Sequence, residues 1–195
     1  MPDGKSALLR HTLATLAYRG GKALRGAPAE FAEFRAGETT RTPAQILAHL
    51  GDLLDWALSL AEGSEAWHNS PPLTWEQGTA RFFAALEAFD KRLASDVPLA
   101  CSVEGLFQGP IADSFTHIGQ IAMLRRLAGC PVRGENFYKA EITAGRVALT
   151  SQSQRTSSIE RGDDAWAGFS PIPRFPSVSF TSDCPPDDAV IIVLL

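Results

Sequence analysis

A chain of 195 residues and 21.0 kDa, 45% hydrophobic and 21% charged, has the length and composition of one globular domain with a sizeable core, which excludes a fibrous or wholly disordered chain. Eighteen basic and twenty-two acidic residues leave a formal charge of -4, with the basic residues scattered or paired along the chain, so no nucleic-acid partner is expected. Three widely spaced cysteines (Cys101, Cys130, Cys184), no signal peptide at the N-terminus, and no apolar run near the roughly 18 residues of a membrane span predict a cytoplasmic protein with no disulfide framework and no membrane partner.

The first predicted helix is "SALLRHTLATLAYRGGKAL", in which Leu8, Leu13, Leu16 and Ala17 recur at helical spacing until "GAP" ends the pattern. The second, "RTPAQILAHLGDLLDWALSLAEG", carries the clearest start. Thr42 caps, Pro43 takes the first helical position, and Gln45 completes a capping box. Ile46, Leu50, Leu53, Ala57 and Leu60 form its apolar stripe, and Gly63 stops it. After a loop at "HNSPPL", a third helix opens at Thr74 with Gln77 three residues on, and buries Phe82, Phe83, Leu86, Phe89 and Leu93. A fourth is predicted to begin after Gly109, with Pro110 at its first position, and to end at Gly129 before Pro131. It is apolar on most sides and therefore central. A short helical turn is expected in "ENFYKAEITAGR". Four helices of about twenty residues without period-two strands predict an all-α four-helix bundle. Beyond Arg146 the chain turns rich in Ser and Pro and loses periodicity, so residues 148–195 are expected to be an irregular or disordered C-terminal extension of a bundle spanning 1–147.

The fourth helix holds "ADSFTHIGQIAML", where Asp113 and His117 stand four residues apart and so share one helical face. Gln120 lies one turn further on that face, and His49 sits on the edge of the second helix. If the two helices are neighbours, two imidazoles and a carboxylate meet in the bundle, a donor set for a divalent transition ion with coordination positions left over. A buried carboxylate is costly unless paired or metal-bound. The plainer alternative is that Asp113 favours a helix N-terminal dipole and pairs with His117 alone. Asp52, one turn after His49, is a candidate acceptor for an imidazole N–H. His11 and His68 are expected to face solvent, and Trp56 and Trp75 to serve packing. Arg125 and Arg126, near a helix C-terminus, read as complements to the dipole. No phosphate-cradling glycine pattern and no "GxSxG" elbow occur.

"RTPAQILAHLGDLLDWAL" and "IADSFTHIGQIAMLRRLAGCPVRGENF" together resemble the DinB-like superfamily of four-helix metal-binding proteins, over the first helix to about Arg146. The resemblance rests on a Pro-initiated helix with a histidine six residues after the proline, and on the "H-x-G-Q" run. It implies His49 and His117 as metal ligands. The middle ligand, usually histidine in that family, falls on Asp113; a glutamate occupies the matching place in the related mycothiol-dependent maleylpyruvate isomerase branch. The resemblance further implies zinc or nickel as the ion, with iron or manganese as further candidates, a low-molecular-weight thiol as cosubstrate, a small-molecule substrate, a homodimer, and a metal-dependent transferase or isomerase activity. Two other readings stand beside it: a non-catalytic stress-linked or partner-binding bundle, and ferrous oxygen chemistry on the two histidines and one carboxylate. The likeness stops near "AGRV", so the remainder is expected to be a divergent C-terminus or the product of an altered reading frame.

Overall fold

The computed structural model describes residues 4–149; the expectations for the C-terminal extension and for Cys184 lie outside the described residues. Four long helices are joined in the order α1 (Gly4–Leu24), α2 (Pro43–Glu62), α3 (Trp75–Ala94), the short α4 (Val103–Leu106), and α5 (Ala112–Leu127). Single 3-10 turns occur at Ala29–Glu33 and, within the stretch expected to turn, at Phe137–Lys139. No strand occurs among the described residues. The chain is all-α, and no described helix is long and apolar enough to cross a membrane.

The start of α2 forms as its residues dictate. Thr42 Oγ1 accepts from the Gln45 amide at 3.2 Å while Gln45 Oε1 accepts from the Thr42 amide at 2.8 Å, so both arms of the capping box are made. Gly63 closes the helix in the left-handed region (φ 78°), a conformation in which any Cβ would be strained. At α3 only one arm forms: Thr74 accepts from the Gln77 amide, and no reciprocal bond is made. Replacing Thr42 with alanine should therefore cost about 1 kcal/mol in denaturant unfolding, and no more than that at Thr74.

α1 and α2 each pack against both α3 and α5, which puts α1 opposite α2 and α3 opposite α5 around one core. Contacts along the helices set their directions. Arg10 grips Asp90 in a two-pronged ion pair, and Trp75 Nε1 reaches the Leu24 carbonyl, so α1 and α3 are antiparallel. Arg81 lies over Ala48 and Gly51 while Arg92 reaches the Ala61 carbonyl, so α2 and α3 run parallel. Lys5 meets Glu104 and Arg125 meets Ala23, so α1 and α5 run parallel too. The order is thus up, down, down, up. A parallel α2–α3 pair needs a return connection, and residues 63–74 supply it by running back along α2. Phe82, Leu86 and Phe89 of α3 meet Leu13 and Leu16 of α1, Leu50 and Leu54 of α2, and Ile111 and Ile121 beside them in the shared core. Each fully buried side chain of this kind contributes about 1.5–3 kcal/mol.

The last bundle helix departs from its predicted start. It begins at Ser102, whose hydroxyl caps the Gly105 amide, and passes through a wider π turn at Phe107–Ile111 before continuing as α5. Pro110 therefore lies inside a continuous helical path rather than at a first position. Proline lacks an N–H and crowds the preceding turn, and a π turn relieves both demands without ending the helix. α5 ends with Arg125 turned inward: its guanidinium donates to the carbonyls of Ala23, Arg25, Gly26 and Cys130, and the residue is only 6% exposed. The chain after Gly129 returns to α1, where Glu135 accepts from both Tyr18 and Lys22. Burial, reinforced by the Glu135 carboxylate, pushes the Tyr18 hydroxyl up to about 12.

Candidate metal centre

The path through the π turn sets the phase of α5, so that Asp113 and His117 face α2 at the level of His49. Asp113 Oδ2 is 3.8 Å from His49 Nε2, and Asp113 Oδ1 is 3.5 Å from His117 Nε2. The two imidazoles stand edge to face, with centroids 4.7 Å apart. One donor atom from each of the three residues lies within 4.8 Å of the other two. Neighbouring donors around a tetrahedral ion at about 2.0–2.1 Å are roughly 3.3–3.5 Å apart, so the three need close only slightly to share a cation. The His49 and His117 side chains are 21% and 12% exposed, while Asp113 at 45% opens the centre to solvent on its own side.

The protonation pattern suits a ligand role. His117 Nδ1 is 2.8 Å from Gln120 Oε1. An amide oxygen accepts, so the ring donates through Nδ1, and this contact turns Nε2 toward Asp113. Burial pushes the His49 pKa down, with the charges of His117 and Arg41 acting the same way and Asp113 and Asp52 opposing, so His49 is neutral near pH 7. The dipole explanation for Asp113 loses its ground. The N–H groups of this helix without an intrahelical carbonyl acceptor are at Ser102–Gly105, well before Asp113, and the residue preceding α5, Ile111, is itself helical.

Asp52 takes a different part from the one expected. Its carboxylate accepts from the Ser70 amide at 2.9 Å and from Arg81 at 2.6 Å, with His68 Nε2 at 3.2 Å, rather than orienting the His49 ring. The same Arg81 nitrogen reaches Asp55 at 2.8 Å, and His68 Nε2 lies 3.5 Å from Asp55. Gly51 makes this possible, since a Cβ there would stand 2.8 Å from the Arg81 guanidinium carbon. Asp52, Asp55 and His68 could by spacing hold a second ion, but Arg81 already occupies the carboxylates as their counter-charge. The cluster instead fastens the 63–74 connection to α2. His68, exposed as expected, still reaches the cluster through its ring nitrogen, and Trp67 beside it packs edge to face on both His49 and Trp56, 5.7 Å away in each case. Trp67 thus walls one side of the triad. Nothing in its local spacing marked it; the length of a connection joining two parallel helices was the available sign. Trp75 packs on Phe31 as a core residue, and His11 is exposed on α1.

Burial pushes the Asp52 carboxyl up, but the Ser70 amide and hydroxyl and Arg81 outweigh it, and the net direction is down. The native carboxyl then ionises at lower pH than the unfolded one. The stabilisation is complete above the ordinary carboxylate range near pH 4 and is lost as pH falls through the lowered native value. Acid unfolding followed by denaturant titration should show this limb in the wild type and a flatter one in Asp52→Asn.

Compared with known proteins, the chain matches no family model, no curated protein and no solved structure at a significant level. The case for a function rests on the centre itself.

Proposed function

We propose that the chain is a divalent-metal-binding protein of DinB-like kind, and that it acts as a metal-dependent transferase or isomerase on a small molecule, with a low-molecular-weight thiol as cosubstrate. The observation that supports this reading is the convergence of His49, Asp113 and His117 from two different helices, with Nε2 of His117 turned inward by the Gln120 contact at Nδ1. Zinc and nickel suit two imidazoles and a carboxylate, as do iron and manganese. A bound divalent cation supplies Lewis acidity and lowers the pKa of a coordinated water or thiol, which makes a nucleophile available near neutral pH. The chain's own residues do the rest. Gln120 orients the His117 ring, Trp67 and Trp56 brace one side of the His49 ring, and the exposed flank of Asp113 leaves room for a visitor.

The test has two stages. Protein loaded in turn with zinc, nickel, manganese and iron and then desalted should retain one ion per chain. The manganese form should speed water-proton relaxation, and a thiol added to the cobalt form should give a sulfur-to-cobalt charge-transfer band. Retention of no ion overturns the metal reading. Retention without exchangeable water leaves a structural centre and removes the transferase. Two histidines and one carboxylate are also the donors of ferrous oxygen chemistry, and oxygen uptake after anaerobic iron loading would favour that reading over the thiol one.

A further inference from the structure

A cleft of about 260 Å³ opens beside the triad, lined by Arg41, Gln45, His49, Asp52, Asn69, Ser70 and Pro72. Its polar groups sort into two sets. Asp52 and Ser70 are bonded to each other, and Asp52 is neutralised by Arg81. Arg41, in contrast, has no hydrogen bond or ion pair among the described residues and lines the same cleft as His49. Gln45 uses only its carbonyl oxygen, in the capping box, so its NH₂ is free to donate. Asn69 is likewise without a partner among the described residues. The cleft therefore presents one uncompensated cation and two amide donors, with its only carboxylate already satisfied.

We propose that this cleft seats a carboxylate group of the small-molecule substrate, held by the Arg41 guanidinium with the Gln45 and Asn69 amides. The inference rests on the metal-dependent reading above and supplies its substrate class. A guanidinium fork meets a carboxylate through two parallel N–H bonds, which fixes direction as well as charge. Phosphate is the poorer fit. Phosphoryl groups are commonly held by free backbone N–H groups at helix N-termini, but α2 begins with Pro43, which has no N–H, and its Gln45 amide is taken by Thr42. His49 belongs both to the cleft wall and to the triad, so a molecule held by its carboxylate at Arg41 has its remainder beside the metal-facing ring.

The test uses succinate, neutral succinamide and inorganic phosphate as probes, read by ¹H–¹⁵N shifts of the Arg41 Nε and of the Gln45 and Asn69 side-chain amides, on both metal-free and zinc-loaded full-length protein. Succinate should saturate these shifts in both forms, succinamide should not, and phosphate should bind at least fivefold more weakly. Arg41→Gln should raise the succinate Kd tenfold or more, and Arg41→Lys by less. No saturable succinate binding, an unchanged Kd in Arg41→Gln, or a preference for phosphate overturns the proposal. Zinc content measured on the same samples separates the two ideas: zinc held without succinate binding sinks this proposal alone, and succinate binding at Arg41 without zinc retention supports the cleft while the metal reading falls.

Discussion

Replacing His117 with alanine should weaken divalent-ion affinity by more than about 100-fold in a chelator-competition titration, above the roughly 10–100-fold that loss of a mere hydrogen-bonding partner costs. His49→Ala should match it, because each removes one of three donors that no neighbour replaces within reach. Gln120→Ala should fall in the lower bracket, since it frees the His117 tautomer without removing a ligand. Linkage gives an independent readout. An ion at about 1,000 times its Kd stabilises the native state by about 4 kcal/mol, so zinc should raise the wild-type melting temperature and leave that of His117→Ala unmoved. Asp113→His should retain the ion, because an imidazole at this position is a longer donor on the same face. Equal zinc affinity in wild type, His49→Ala and His117→Ala would end the metal reading.

The largest effect on stability outside the core should come from Arg125→Met, about 3–5 kcal/mol by urea unfolding, because four backbone carbonyls lose their donor at once and each such loss costs about 1 kcal/mol or more. Arg125→Lys should recover only part of this. An ammonium on a flexible stem cannot span the carbonyls of Ala23, Arg25, Gly26 and Cys130 as a planar fork with five donors does. The guanidinium has a polar rather than ionic task here: it terminates α1 and ties the chain after α5 to that end. Arg126, its neighbour in sequence, is exposed, and its alanine variant should unfold as the wild type does.

Local chemistry determined much of this protein by itself. The capping box at Thr42, the stop at Gly63, the apolar stripes of α2 and α3 and the all-α class follow from interactions between residues a few positions apart, which sequence spacing displays directly. The shared face of Asp113 and His117 is of the same kind, as is the Gln120 contact one turn on. Tertiary structure decided what spacing cannot encode. Whether His49 meets that face depends on α2 packing beside α5 rather than opposite it. The phase of α5 depends on a π turn that lets Pro110 sit inside a helix, a rescue visible only once the path before Gly109 is helical too. Asp52 was legible as a carboxylate near an imidazole, yet Arg81 and Ser70, brought from α3 and from the return connection, claim it because two donors at hydrogen-bond distance outweigh one ring a turn away. Trp67 and Arg41 became parts of the site for the same reason. Side chains far apart in the chain acquire a common purpose only when parallel helices force the connection between them to double back, and that direction is a property of the assembled bundle.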